Sequence, residues 1–159
     1  MQVQILAVGK IKEKYLEAGI KEYLKRLSAY TKMEIHEVKD EHSAENASPA
    51  ERQIVLAKEA DRLEALIRPH TYLIALDIKG QQFSSPGFAA HLAQQTLMGK
   101  SHFTFLIGGS LGLSARLLER AELRLSFSPL TFPHQLFRLM LLEQLYRAFK
   151  INRGEPYHK

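Results

Sequence analysis

Phe103-Thr104-Phe105-Leu106-Ile107-Gly108-Gly109-Ser110-Leu111-Gly112 is the stretch on which the fold turns. Five β-forming, mostly apolar residues break at once into three glycines within five positions. Strands covered on both faces read as such continuous apolar runs. Glycines placed directly after one let the backbone come close to a ligand and offer its N–H groups. The pattern recurs downstream. Leu123-Arg124-Leu125-Ser126-Phe127 predicts a second strand, and it stops at Ser128-Pro129-Leu130-Thr131-Phe132-Pro133-His134. Two prolines there fix φ and remove donors, so the loop is stiff while its other N–H and C=O groups stay free. Phe127, Leu130 and Phe132 supply apolar walls of the kind a flat ligand needs.

Each loop also has a plainer reading. A Gly-Gly pair makes an ordinary turn, and a proline at a helix start accounts for Pro133 without any ligand. The glycines are not spaced as G-x-G-x-x-G, and too few strands follow for a doubly wound dinucleotide domain. No Gly-Lys-Ser/Thr follows, which excludes a Walker loop.

Outward from this stretch, strands and helices alternate. Gln2 to Val8 predicts a largely buried strand ended by Gly9, and Ile11 to Leu27 an amphipathic helix with apolar residues at helical spacing. Met33 to Val38 reads as an outer strand, and Asp40 to Asn46 as a polar loop. Ser48 as N-cap, Pro49 at the first helical position and Glu51 in a capping box start a helix expected to reach about Ile67. Tyr72 to Asp77 is an inner strand, and Lys79-Gly80 is expected to turn the chain. Ser85-Pro86 is read as capping a helix from Gly87 to about Met98, and a short helix spans Ser114 to about Arg120. The last helix, Pro133 to about Lys150, is apolar around more of its circumference than packing on one sheet requires. A second copy of the chain in a two-fold dimer would cover the surplus; the connection lying over it would do so too. The expectation is one α/β domain over residues 1–159, with a mainly parallel sheet and helices on both faces.

Composition narrows the function classes. With 45% hydrophobic and 25% charged residues the chain is ordinary for a globular protein. It has no cysteine, so disulfide frameworks, thiolate metal sites and cysteine nucleophiles are out. The seven histidines are scattered without paired ligand spacing, so no metal is expected. No signal-peptide pattern or membrane-length apolar run is present, and a cytoplasmic location is expected. The net charge is +5, concentrated at the ends: residues 1–32 carry seven Lys or Arg against three Glu, and residues 133–159 carry five against two. The C-terminal cations are interleaved with Tyr146, Phe149, Tyr157 and His158, a mixture that suits RNA bases and phosphates.

Five stretches in one order carry a more specific signal: Ile5-Leu6-Ala7-Val8-Gly9-Lys10, Ile107 to Gly112, Leu130-Thr131-Phe132-Pro133-His134, Glu143-Gln144-Leu145-Tyr146-Arg147-Ala148 and Tyr157-His158-Lys159. Together they resemble the ribosomal RNA large subunit methyltransferase H family, pseudouridine N3-methyltransferases of the SPOUT class. The resemblance spans essentially the whole chain. It implies an α/β fold whose C-terminal segment forms a trefoil knot, a homodimer, and S-adenosylmethionine held in the knotted loops. Leu76, Gly108, Phe127, Ser128, Pro129, Leu130, Thr131 and Phe132 would contact that cofactor. The implied substrate is a pseudouridine in helix 69 of 23S rRNA within the assembled 70S ribosome.

That N3 carries a proton, so methylation needs a base or a group that stabilises the developing anion. His134, Tyr157 and His158 are the candidates, with Arg147 and Arg138 expected to hold phosphate or the anionic base edge. Lys10, Arg138, Arg147 and Lys159 are the expected RNA contacts. A helix-start role for His134 and an i,i+4 pair of Arg147 with Glu143 are the structural alternatives. Two rival functions stand beside this one: a SPOUT ribose 2′-O-methyltransferase acting on tRNA, and a non-catalytic ribosome-binding protein.

Overall fold

The computed structural model describes residues 1–159. Five strands, β1 (Gln2–Val8), β2 (Lys32–Val38), β3 (Tyr72–Gln82), β4 (His102–Ile107) and β5 (Leu123–Ser126), form one sheet in the order β2-β1-β4-β3-β5. Every neighbouring pair is parallel. Five helices connect them: α1 (Lys14–Leu27), α2 (Pro49–Glu64), α3 (Ser85–Leu97), α4 (Ala115–Arg120) and α5 (His134–Asn152).

Alternate strand residues face opposite sides of the sheet. Val3, Ile5, Phe103, Phe105, Tyr72 and Ile74 point into a large core shared with Phe88 and Leu92 of α3 and Leu141, Leu142 and Leu145 of α5. Leu6, Val8, Leu73 and Leu106 point the other way, against Ala60 and Leu63 of α2 and Leu117 of α4. Both faces are covered, which is why the inner strands lack polar alternation. The outer strand β2 sits at the sheet edge as expected.

The element bounds differ from the sequence expectation in places with clear causes. Helix α2 stops at Glu64 because Leu66 and Ile67 donate to carbonyls three residues back, tightening the last turn ahead of Pro69. The cap of α3 is Ser84 rather than Ser85, its Oγ accepting from the Gly87 N–H at 3.1 Å. The larger correction concerns Lys79-Gly80, which does not turn the chain but lies inside β3. Leu125 of β5 faces Leu76 and then Gln81, so residues 77–80 bulge from the ladder. Gly80 is required there, since a Cβ would stand 2.5 Å from the Arg124 carbonyl oxygen.

Helix α5 runs between α1 and α3 and packs on both. Leu139 fills the space over Gly19 of α1, where a Cβ would meet a Leu139 methyl at 2.9 Å. These flanking helices take up part of the surplus apolar surface of α5. No helix is long and apolar enough to cross a membrane, and no group of three or more His, Asp or Glu side chains is placed to hold a metal ion.

Candidate active site at the strand ends

A cavity of about 730 Å³ opens at the C-terminal ends of β3, β4 and β5, where parallel α/β sheets hold their ligands. Three pieces of chain enclose it. Leu76, Asp77 and Ile78 begin the bulge of β3, the Gly108–Leu113 loop follows β4, and the segment after β5 leads into His134 and Phe137 of α5. Of the residues expected to hold a cofactor, Leu76, Gly108, Phe127, Ser128, Leu130, Thr131 and Phe132 line this cavity. Pro129 is exposed and does not.

Local bonding shapes these walls. Ser126 Oγ lies 3.0 Å from the Ile78 carbonyl and 3.2 Å from that of Ser128, so one hydroxyl ties the β3 bulge to the loop after β5. The Leu130 N–H donates to Ser128 Oγ at 3.0 Å, holding Leu130 out at the rim, 68% exposed. In the other loop Gly112 donates to the Gly109 carbonyl at 3.0 Å, folding the turn back on itself. Any Cβ on Gly108 would run into the Gly112 carbonyl, and Gly112 itself has φ +78°.

His134 sits on the cavity wall with its Nδ1 buried and without a hydrogen-bond partner. Burial, then the charge of Arg138 and that of Lys12, pull its pKa below the usual histidine value, while Asp40 opposes them. The imidazole is therefore held neutral, with a lone pair available.

The other three candidate catalytic residues form a separate cluster around Glu143. Arg147 pairs with Glu143 at 2.5 Å, and the Tyr157 hydroxyl donates to the same carboxylate at 3.0 Å. The Tyr23 and Tyr157 hydroxyls lie 3.4 Å apart, and His158 Nδ1 is 3.2 Å from Arg147 Nη1. The Arg147 guanidinium stands 4.7 Å from the centre of the Tyr157 ring. Burial, with the bonds to Tyr23 and Glu143, pushes the Tyr157 hydroxyl pKa upward, so it remains a proton donor. Glu143 and Tyr23 border a second cavity of about 510 Å³ between α1, α3 and α5, which shares Leu125 to Ser128 and Phe132 with the first. Sequence reasoning missed Tyr23, whose helical spacing gave only a core role. It took Glu143 only as a partner for Arg147.

Arg138 is a correction. It is 1% exposed and pairs with Glu37 of β2 while donating to the carbonyls of Val8 and Gly9. Buried and committed in this way, it faces no surface on which RNA could lie. Lys10 and Lys159 are exposed. The two basic ends do meet: Arg153 of the C-terminal segment lies 4.6 Å over the ring of Tyr30, which follows α1.

Comparison with known proteins bears on this site. A family model described as "Predicted SPOUT methyltransferase" matches residues 1–158. The chain belongs to the SPOUT methyltransferase family. Among SPOUT relatives, the ribosomal RNA large subunit methyltransferase H of Carboxydothermus hydrogenoformans is 58% identical over the full length of both chains. The protein of the same name from Bacillus thuringiensis is 56% identical, again over both full lengths. The solved structure of a probable methylase family protein from Haemophilus influenzae Rd KW20 aligns with a TM-score of 0.54 at 10% identity, covering 99% of this chain and 70% of that one. That likeness is one of fold.

Proposed function

We propose that this chain is an S-adenosylmethionine-dependent methyltransferase of large-subunit ribosomal RNA that methylates N3 of a pseudouridine in helix 69 of 23S rRNA. It acts in the cytoplasm on the assembled 70S ribosome, as a homodimer whose C-terminal segment forms a trefoil knot. The observation that carries this reading is the full-length identity to relatives named for large-subunit rRNA methylation. The choice of base rests on the motif resemblance.

The cavity fits the cofactor. Leu76, Phe127, Leu130 and Phe132 give apolar walls for adenine, and the glycine loop brings backbone close enough to meet its polar edge. The unpartnered His134 Nδ1 leaves one buried nitrogen for a ligand or substrate. When bound, S-adenosylmethionine supplies an electrophilic methyl on a sulfonium. The chain's part is to hold N3 in line with that methyl, and positioning of this kind supplies much of the acceleration. The N3 proton must leave as the N–CH₃ bond forms, and the neutral His134 imidazole is placed to accept it, with the His158 ring as the alternative acceptor. Arg147 and the protonated Tyr157 hydroxyl can donate to the anionic base edge.

Helix α5 supports the assembly. It starts beyond β5 near one edge, yet through Arg138 it reaches the end of β1, passing between α1 and α3. Such a path suits a threaded C-terminal segment. The apolar hollow bordered by Phe83, Leu136, Leu139 and Met140 suits a second copy.

The test is transfer of labelled methyl to intact ribosomes from cells lacking this chain, beside free rRNA and tRNA. Labelling of ribosomes alone, lost when the target pseudouridine is missing, is the expected result. Labelling of tRNA, or ribosome binding without any transfer, would replace this reading with one of its rivals.

A further inference from the structure

The segment Gly9–Glu13 joins β1 to α1, whose first residues are Lys14 and Tyr15, and passes beside the wall of the cofactor cavity. A Cβ on Gly9 would stand 3.8 Å from His134 Cε1. Its backbone is fixed at successive residues. The Gly9 N–H donates to the Val38 carbonyl at 2.8 Å and its carbonyl accepts from Arg138. The Ile11 N–H donates to Glu37 Oε2 at 3.0 Å, and the Lys12 N–H to Gln135 Oε1 at 3.2 Å. Glu13 then caps α1.

The side chains of this rigid segment are, by contrast, unused. Lys10, Lys12 and Lys14 are all exposed, and none of their ammonium groups is in an ion pair or hydrogen bond. Three other cations near the site are paired, Arg138 with Glu37, Arg147 with Glu143 and Lys150 with Glu155. Tyr15 is 68% exposed, and its ring makes no aromatic, cation or hydrogen-bond contact within the chain. An exposed aromatic ring costs free energy in water, and here it is flanked by three free cations and one acidic residue, Glu13.

We propose that Lys10, Lys12, Lys14 and Tyr15 form an RNA-docking platform at the mouth of the active site, with the Tyr15 ring stacking on an unpaired base and the lysines holding the phosphates around it. The inference rests on the function proposed above and names the surface that presents the substrate to the site. Free lysines attract a polyanion, and a ring with an open face takes up any unstacked base. A backbone pinned by four bonds pre-organises both, so docking loses little chain entropy. RNA is favoured over an acidic protein because a flat ring between lysines matches a base between phosphates.

The experiment measures binding of the full chain to ribosomes from cells lacking it, at several salt concentrations, with methyl transfer followed in parallel. The K12A/K14A double variant is expected to lower the salt dependence by about two phosphate contacts and to weaken binding at low salt. Y15A is expected to weaken binding roughly ten-fold, whereas Y15F, which keeps the ring, restores most of it. Affinity for S-adenosylmethionine in Y15A stays within about two-fold of the parent, since the ring lies outside the cofactor cavity. Photocrosslinking from a benzophenone amino acid at position 15 should label rRNA. Binding of all variants within two-fold of the parent, equal loss in Y15F and Y15A, crosslinking to a ribosomal protein, or a parent chain that does not bind ribosomes would each overturn the platform. Binding that the variants weaken, in a parent that transfers no methyl, would instead keep the platform and overturn the catalytic reading.

Discussion

Arg138 on α5 and Glu37 on β2, 101 residues apart, form an ion pair in which the guanidinium is 1% exposed and the carboxylate side chain 36%. The same guanidinium caps the carbonyls of Val8 and Gly9, so one side chain fastens the last helix to the ends of two strands. Glu37 also receives the Ile11 N–H, which extends the tie to the loop before α1. Removing Arg138 leaves the buried Val8 and Gly9 carbonyls without their donor and a void in the packing, while Glu37 stays in contact with solvent. R138A is therefore expected to lose about 1–3 kcal/mol of stability, read as a lowered denaturant midpoint with an unchanged slope. A midpoint equal to the parent's would show that the clamp carries no stability.

His134 gives the enzyme a pH signature. Its pKa lies below the usual 6.5, first through burial and then through the charges of Arg138 and Lys12. In the window between the native pKa and 6.5 the unfolded chain takes up a proton that the native state refuses. Stability is thus unaffected above 6.5 and falls as the pH drops through the native pKa. If neutral His134 accepts the N3 proton, the acid limb of methyl transfer should lie below pH 6.5 as well. Removing an opposing charge has a definite sign. D40N should move the His134 titration, followed by NMR of the imidazole protons, further down, and K12A should move it up. Titration of His134 at or above 6.5 would contradict the environment described.

Much of this arrangement was legible in the residues, and the exceptions share a cause. Apolar or β-type runs located β1, β3, β4 and β5, rough apolar–polar alternation located β2, and proline with serine located two helix starts, because those signals are local. The continuation of β3 through Lys79-Gly80 was not legible. Lys-Gly is good turn chemistry, and only the pairing of Gln81 and Gln82 with β5, more than forty residues on, resumes the strand beyond the bulge. The burial of Arg138 left a fainter trace. Leu136, Phe137, Leu139, Met140, Leu141 and Leu142 surround it in sequence on every side of the helix, which leaves a charged residue no solvent face. The residues expected around a cofactor came from the family resemblance, and all but Pro129 line the cavity at the strand ends. That Arg147, Tyr157 and His158 gather on Glu143, away from His134, depends on the chain end folding back over α5.

The glycine loop offers a test of the cofactor site. A Cβ on Gly108 would collide with the Gly112 carbonyl of the same turn, so G108A must open the loop that walls the cavity. G109A meets only Val8 Cγ1 at 3.1 Å and the carboxylate of Glu59 beyond it. The expectation is a loss of S-adenosylmethionine affinity of at least ten-fold in G108A and a smaller loss in G109A, by titration calorimetry. The global fold should persist in both, because the loop lies outside the two cores. Parent-like affinity in G108A would remove this loop from the binding site.

Tyr157 and His158 separate chemistry from cofactor binding. Neither residue lines the cavity assigned to S-adenosylmethionine, and both are held through Glu143 and Arg147. A role in presenting or deprotonating the base predicts that Y157A and H158A each lower methyl transfer by about 10²-fold or more, while cofactor affinity stays within a few-fold. Y157F distinguishes the ring from its hydroxyl. It keeps the ring beneath the Arg147 guanidinium but loses the 3.0 Å bond to Glu143. If the raised hydroxyl pKa serves to keep a donor in place, Y157F should transfer as poorly as Y157A. If the ring's packing is what matters, Y157F should recover most of the activity. Parallel loss of transfer and cofactor affinity in Y157A and H158A would mean that the chain end supports the fold of the cofactor site and takes no direct part in the reaction.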